Sequence, residues 1–392
     1  MMSDPLFPLP SVLRSRSFWR GPFPLILIFF AAFNVWVWKD RSKRTEEQQA
    51  NLTSGDLGSS DPSERVYDDT FGMDIGSCLS RIPDSRKTPL CIVTGMSQMH
   101  TINDRQPGDK LIVEEMDGKL ARKGVRCFGL AAPNLCNEEA LLILLISLSS
   151  EQTHPQVFLY GNCFDKYRNV DLRPSFQAFL RGRPELQAAW HAAAIRGKDK
   201  YPAASEKMLG TLDSLISASA SAVDDPLEQW LRKTSGAVVP IIADRKQLNA
   251  VSQQFLFQLR NWTLGIKNSS KRPVIRSRYE LNQQFLELIM DECRAHGVEF
   301  VTYVIPLNPV AENPYVDSEY IAYKEWLAAL CSTRKVAFAN FENLVPTEEW
   351  GEWMGGPDFK HFKGPAHKRT AAAIVDRFGP GLLGGDAGGP QP

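Results

Sequence analysis

A single α/β domain built on a parallel sheet is what this sequence predicts. Five short runs rich in Val, Ile, Phe and Leu have strand length and no polar face, helical patterns lie between most of them, and polar stretches bound the whole block. Runs of that kind belong to strands covered on both sides, and strand–helix–strand order implies right-handed crossovers with helices on both faces. With 392 residues, one such domain with an insertion and flexible ends accounts for the length.

The elements follow in order. PLCIVTG at 89–95, VRCFGLA at 125–131, QVFLYGN at 156–162, VEFVTYVIP at 298–306 and KVAFANF at 335–341 are the five predicted strands. Asn137, Glu138 and Glu139 open a helix over 137–148 that is apolar nearly all round and too short to span a bilayer, so it reads as a buried crossover. A second helix is predicted over 279–297, amphipathic, with Gly297 where a C-terminal cap belongs. AHKRTAAAIVDRF forms a closing amphipathic helix. Residues 163–275 are helical and interrupt the rhythm as an insertion.

Outside this domain of 86–378, a flank over 1–21 leads into PFPLILIFFAAFNVWVW at 22–38, uncharged and bracketed by Arg14, Arg16, Arg20, Lys39, Arg41, Lys43 and Arg44. As a helix it reaches roughly 26 Å, close to a bilayer core, with Trp19, Trp36 and Trp38 at the boundaries. It is expected to be an uncleaved single-pass anchor; positive charge on both sides leaves its orientation open. Residues 39–85 are polar enough to serve as a flexible tether, and 379–392 as a disordered tail.

Charge and cysteine content exclude some classes. The 45 basic and 45 acidic residues balance, so no overall field favours nucleic acid as a partner. Seven cysteines without a Cys-x-x-Cys pair argue against a zinc knuckle or a disulfide framework. No metal and no cofactor is expected.

In open α/β sheets ligands bind beyond the carboxyl ends of the strands, so reactive side chains are sought in the turns there. The first strand runs into Gly95, Met96 and Ser97. A serine at such a strand-to-helix turn lies near free backbone N–H groups, which suits a nucleophile and equally suits a helix cap. Past the last strand, Asp358 and His361 are three apart, a spacing that puts both on one face of a helical turn, where the carboxylate orients the imidazole toward a serine.

The Gly-x-Ser turn after the first strand, with Asp-x-x-His before a C-terminal helix, resembles the SGNH or GDSL hydrolases. Together with the apolar N-terminal segment, the phrases GVEFVTYVIPLNP and PDFKHFKGPAHK are similar to membrane-anchored members that acylate cell-envelope polymers, such as the D-alanyl transfer protein of teichoic acids and the alginate O-acetylation proteins. The resemblance implies a flavodoxin-like three-layer sandwich with a five-stranded sheet, with Ser97 as nucleophile, His361 as general base and Asp358 as its partner. It further implies oxyanion donors at Gly129, in the turn after the second strand, and at Asn162, after the third. Asn308 in the first phrase, and Trp350 and Trp353 before the Asp–His pair, are candidate substrate contacts.

The implied activity is that of a serine esterase or O-acyltransferase acting on an envelope polysaccharide or related polymer through an acyl-serine. The domain would lie outside the cytoplasm, with the bilayer and a membrane-bound O-acyltransferase as partners. The sequence departs from the pattern at Met96, where GDSL enzymes carry Asp, and at Cys163, where an Asp follows the Asn. Those departures motivate a second reading, a non-catalytic SGNH-fold scaffold that assists a membrane acyltransferase.

Overall fold

A computed structural model describes residues 79–132, 134–221, 270–353 and 356–382. The expected anchor at 22–38, most of the tether, residues 222–269 of the insertion and the tail beyond 382 lie outside the described residues; within them, no helix is long and apolar enough to cross a membrane.

Five parallel strands form one sheet: β1 (Leu90–Gly95), β2 (Arg126–Ala131), β3 (Val157–Asn162), β4 (Glu299–Val304) and β5 (Ala337–Asn340), in the order β2-β1-β3-β4-β5. That is the flavodoxin-like order. Every residue of β1 and β3 is buried, as two covered faces require. The expected bounds hold to within two residues for all five strands. β5 departs in its burial: it is an edge strand of four residues, none fully buried, where the sequence predicts a strand covered on both faces.

Between the strands run α1 (Ile112–Leu120), α2 (Asn137–Leu148), α3 (Pro174–Arg181), α4 (Pro184–Gly197), α5 (Pro202–Ser221), α6 (Arg276–Ala295) and α7 (Asp317–Arg334). The short helix α1 has no counterpart in the sequence reading. Its first turn is closed by Glu114, which accepts from the Leu111 N–H at 2.6 Å. α2 has the expected bounds, and its cap is Cys136; Glu139 accepts the Cys136 N–H at 3.1 Å. The Asn137 side chain bonds instead to the Asn282 carbonyl on α6 at 2.8 Å. Gly297 just past α6 has φ +66°, the left-handed turn that favours glycine at a helix end.

Adjacent residues of β3 show how the layers are divided. Tyr160 donates its hydroxyl to Asn137 on α2. Its neighbour Gly161 points the other way, toward Met99 and Tyr303. Tyr303 meets Phe341 in a tilted contact at 5.5 Å, and Phe341 meets Phe378 at 6.3 Å on the last helix, α8 (Gly364–Leu382). α1 packs on α8 across one face, and α2 on α6 across the other.

Two ends of the domain differ from expectation. Ile82, within the stretch expected as tether, is buried, and the Ser85 hydroxyl donates to the Glu151 carbonyl at 2.8 Å. Ile82 is an apolar side chain in a polar stretch, and it finds the core. α8 runs to Leu382, so residues 379–382 continue the helix.

Between β5 and α8 lies an antiparallel hairpin, β6 (Trp350–Trp353) and β7 (Gly356–Phe362), where the sequence suggests turns and a helical Asp–His segment.

Candidate active site

The three residues expected to do chemistry come from two elements. β1 ends at Gly95, Met96 remains extended, and Ser97 opens a single 3-10 turn, Ser97–Met99, closed by the Met99 N–H to the Met96 carbonyl at 2.9 Å. The turn folds back so tightly that a Cβ on Gly95 would stand 2.9 Å from Met99 Cγ, and one on Gly161 would stand 2.8 Å from Met99 Cε. Met99 is fully buried in the space these glycines leave, anchoring the turn over the ends of β1 and β3. In this strand order the crevice at the carboxyl ends of β1 and β3 is the switch point where ligands bind.

Asp358 and His361 lie on β7, not on a helical turn. In a regular strand, residues three apart point to opposite faces. Here the pairing of Trp350 with Phe362 and of Glu352 with Pro357 sets three residues of β6 against six of β7. The extra length is a bulge, a device that re-aims side chains beside sites. Asp358 Oδ1 accepts the backbone N–H groups of Lys360 at 2.9 Å and His361 at 3.0 Å, curling the chain so that both side chains share a side.

The result is a relay. Asp358 Oδ2 lies 3.0 Å from His361 Nδ1, and His361 Nε2 lies 2.7 Å from Ser97 Oγ. A carboxylate only accepts, so Nδ1 carries the proton toward it and Nε2 is left to accept from the serine hydroxyl. The Asp358 side chain is 6% exposed and the His361 side chain 24%, so the imidazole is reachable while its partner is shielded. Burial pushes the Asp358 carboxyl up, but the hydrogen bond and charge of His361, with the two backbone N–H groups, outweigh it and hold the carboxyl below its ordinary range.

The bulged strand is tied to three strand ends. Gln98, buried, donates both amide hydrogens, to the Lys360 carbonyl at 2.7 Å and the Pro306 carbonyl at 2.8 Å, joining the β1 turn to β7 and to the segment after β4. The Lys360 ammonium bonds to Asp165, in the 3-10 turn after β3. Burial opposes both charges, yet each stabilises the other: the Asp165 carboxyl stays below its ordinary value and the Lys360 ammonium above. Asn308 donates to the Asp358 carbonyl at 2.8 Å.

The remaining expected residues sit as follows. Asn308 is buried, with its carboxamide spent on the Asp358 carbonyl and the Val310 N–H, so it braces β7 instead of facing a substrate. Trp350 is buried too, its ring edge-on to Phe362 at 5.4 Å and its N–H on the Val345 carbonyl, which makes it packing. The Trp353 side chain lies outside the description. Gly129 is inside β2 opposite Val93, not in the turn that follows the strand. Asn162, the last residue of β3, is buried; its carbonyl oxygen accepts the Tyr323 hydroxyl at 3.2 Å, on the α7 side. Its amide nitrogen has no hydrogen-bond partner. Another histidine, His367, which the sequence does not single out, stands apart from the pair: burial pushes its ring down to about 3, and Nε2 lies 3.1 Å from the Thr101 carbonyl.

Sequence reasoning missed Gln98, Asn103, Asp165 and Lys360. Gln98 and Lys360 flank triad positions, and neighbourhood was the one available signal. Asn103 and Asp165 carried none.

Comparison with known proteins adds little. No protein-family model matches the chain, and no curated protein does. Among solved structures it is similar to an inferred acylhydrolase from Bacteroides fragilis, at 8% identity and a TM-score of 0.33, over 77% of this chain and 91% of that one. A likeness at that level carries no argument about this chain.

Proposed function

We propose that the chain is an SGNH-type serine esterase or O-acyltransferase, held at a membrane by its N-terminal segment, that passes an acyl group through Ser97 to or from an envelope polysaccharide or related polymer. The observation that carries the chemistry is the unbroken line Asp358–His361–Ser97, with steps of 3.0 and 2.7 Å at the sheet's carboxyl edge. The membrane, the polymer and a partner acyltransferase rest on the apolar segment and the family resemblance alone.

The Ser97 hydroxyl is a weak nucleophile at neutral pH and needs a base within about 2.6–3.2 Å. His361 Nε2 takes its proton as the oxygen attacks the ester carbonyl. The imidazolium so formed is stabilised by Asp358. Collapse of the tetrahedral intermediate expels the leaving alcohol, which takes the proton back from Nε2 and leaves acyl-Ser97. An acceptor hydroxyl, or water, then repeats the sequence in reverse. Sealing against water decides which acceptor wins.

A fluorophosphonate probe tests the reading. Wild-type protein is expected to label, with the adduct on Ser97, and Ser97→Ala to abolish it; labelling that survives Ser97→Ala removes the assignment.

The second reading, a non-catalytic scaffold, has a specific observation in its favour. Of the donors that the resemblance implies, Gly129 sits inside a strand and not in the turn where it would serve. Binding of an acylated polymer without any probe adduct or ester turnover would favour it.

A further inference from the structure

We propose that Asn103 is a positioning residue of this site, a carboxamide that fixes which Asp358 oxygen faces the His361 ring. The inference rests on the reading of His361 as base and Ser97 as nucleophile, and adds a residue that neither the motif nor the resemblance supplies.

The geometry is specific. Asn103 Nδ2 donates to Asp358 Oδ2 at 3.0 Å, the same oxygen that receives His361 Nδ1–H, and its other amide hydrogen goes to the Glu352 carbonyl at 3.1 Å. The Asn103 backbone N–H is also committed, to the Phe362 carbonyl at 3.0 Å. One residue thus holds both strands of the hairpin and the carboxylate between them. Asp358 Oδ1 is gripped separately by two backbone N–H groups. Without Asn103 the carboxylate could still pivot about that oxygen, and Oδ2 would lose the constraint that keeps it in line with Nδ1.

The space for this carboxamide is made by a missing side chain. A Cβ on Gly351 would stand 2.0 Å from Asn103 Cγ. Glycine at 351 therefore lets the amide lie flat on β6 and reach Asp358. The segment 97–103 then meets 358–362 at alternating points: Ser97 on His361, Gln98 on Lys360, Asn103 on Asp358 and Phe362. Nucleophile, base and orienter are held in register by one stretch of chain gripping another.

The test uses the solubilised full-length chain labelled with 15N-histidine, with His361 assigned from the spectrum of His361→Ala. Nitrogen shifts report which ring nitrogen carries the proton. In the wild type the proton is expected on Nδ1. Asn103→Leu keeps the size of the side chain but removes the donor; it is expected to move the ring toward a mixture of tautomers and to slow fluorophosphonate labelling of Ser97 about 10- to 100-fold, the range that misplacement of a reacting group produces, with the reagent's half-saturation unchanged. Gly351→Ala, which displaces the carboxamide without altering it, is expected to shift both readouts in the same direction. Should Asn103→Leu not fold, Asn103→Ala carries the same comparison. A His361 spectrum and labelling rate unchanged in the donor-less variant and in Gly351→Ala would overturn the proposal. Wild-type protein that does not label, with tautomers that still move in the variants, would leave the positioning role standing and remove the catalytic reading.

Discussion

Replacing Asp358 by Asn asks how much the relay depends on a charge that cannot donate. Two backbone N–H groups point at Oδ1, from Lys360 and His361, so the variant's carboxamide oxygen must stay there and its NH2 must take the place of Oδ2. There it meets two donors, Asn103 Nδ2 and the His361 Nδ1 hydrogen, each at 3.0 Å in the wild type. The imidazole relieves its clash by moving the proton to Nε2, the nitrogen 2.7 Å from Ser97 Oγ, and so loses the lone pair that accepts the serine proton. In serine triads this tautomer exchange costs about 10^4-fold in rate, about 5 kcal/mol of transition-state stabilisation. Hydrolysis of p-nitrophenyl acetate and the rate of fluorophosphonate labelling at pH 7.5 measure it, with circular dichroism to establish that the variant folds. The carboxyl's low pKa adds a second readout. A carboxylate held below its unfolded value contributes stability above about pH 4 and loses it as pH falls through the folded value, so the wild type's advantage over Asp358→Asn in urea should vanish in acid. Activity within tenfold of wild type in the folded variant would refute the relay.

Two further perturbations concern buried charge. Burial raises the Glu138 carboxyl to about 7, against the charge of Lys207, so the folded chain binds a proton there that the unfolded chain releases near pH 4.5. Stability is therefore lost as pH rises from 4.5 to 7, on the order of 3 kcal/mol, and Glu138→Gln should flatten that slope in urea titrations at several pH values. Lys360→Met strands Asp165 without its main counter-charge in a site where the two side chains are 18% and 16% exposed; the expected loss is about 3 kcal/mol by urea unfolding, the lower end for a broken buried pair, and an unchanged midpoint would show that Arg168 alone suffices.

The parallel sheet was legible in the sequence because its strands are local events. Apolar runs of six residues bury both faces wherever they lie, and their register follows from covering those faces, so β1 to β4 can be read one at a time. The same holds for the Gly297 cap, which depends on its own φ. α1 leaves no such local mark: its nine residues make too short a pattern to stand out, and it is held by packing on α8.

Spacing and resemblance both point to residues 97, 358 and 361 coming together, but a separation of three implies a helical turn, and the Asp–His pair lies on a strand. Asp358 and His361 share a side because β7 bulges against β6, and that bulge depends on contacts from Gln98, Asn103 and Asn308. None of these has a local signature, since a carboxamide on a loop is as often a turn former as a brace. Asn308 and Trp350 show the converse: polar and aromatic side chains near a candidate site look like substrate contacts until their hydrogen bonds are seen to be spent within the fold. The strand runs, their order along the chain and the residue types available for acyl transfer are all written in the local order of residues. Tertiary structure alone decided which way each side chain points and what holds it there, because a hydrogen bond between positions 255 or 264 residues apart is set by how the whole sheet packs and leaves no mark on the neighbours of either end.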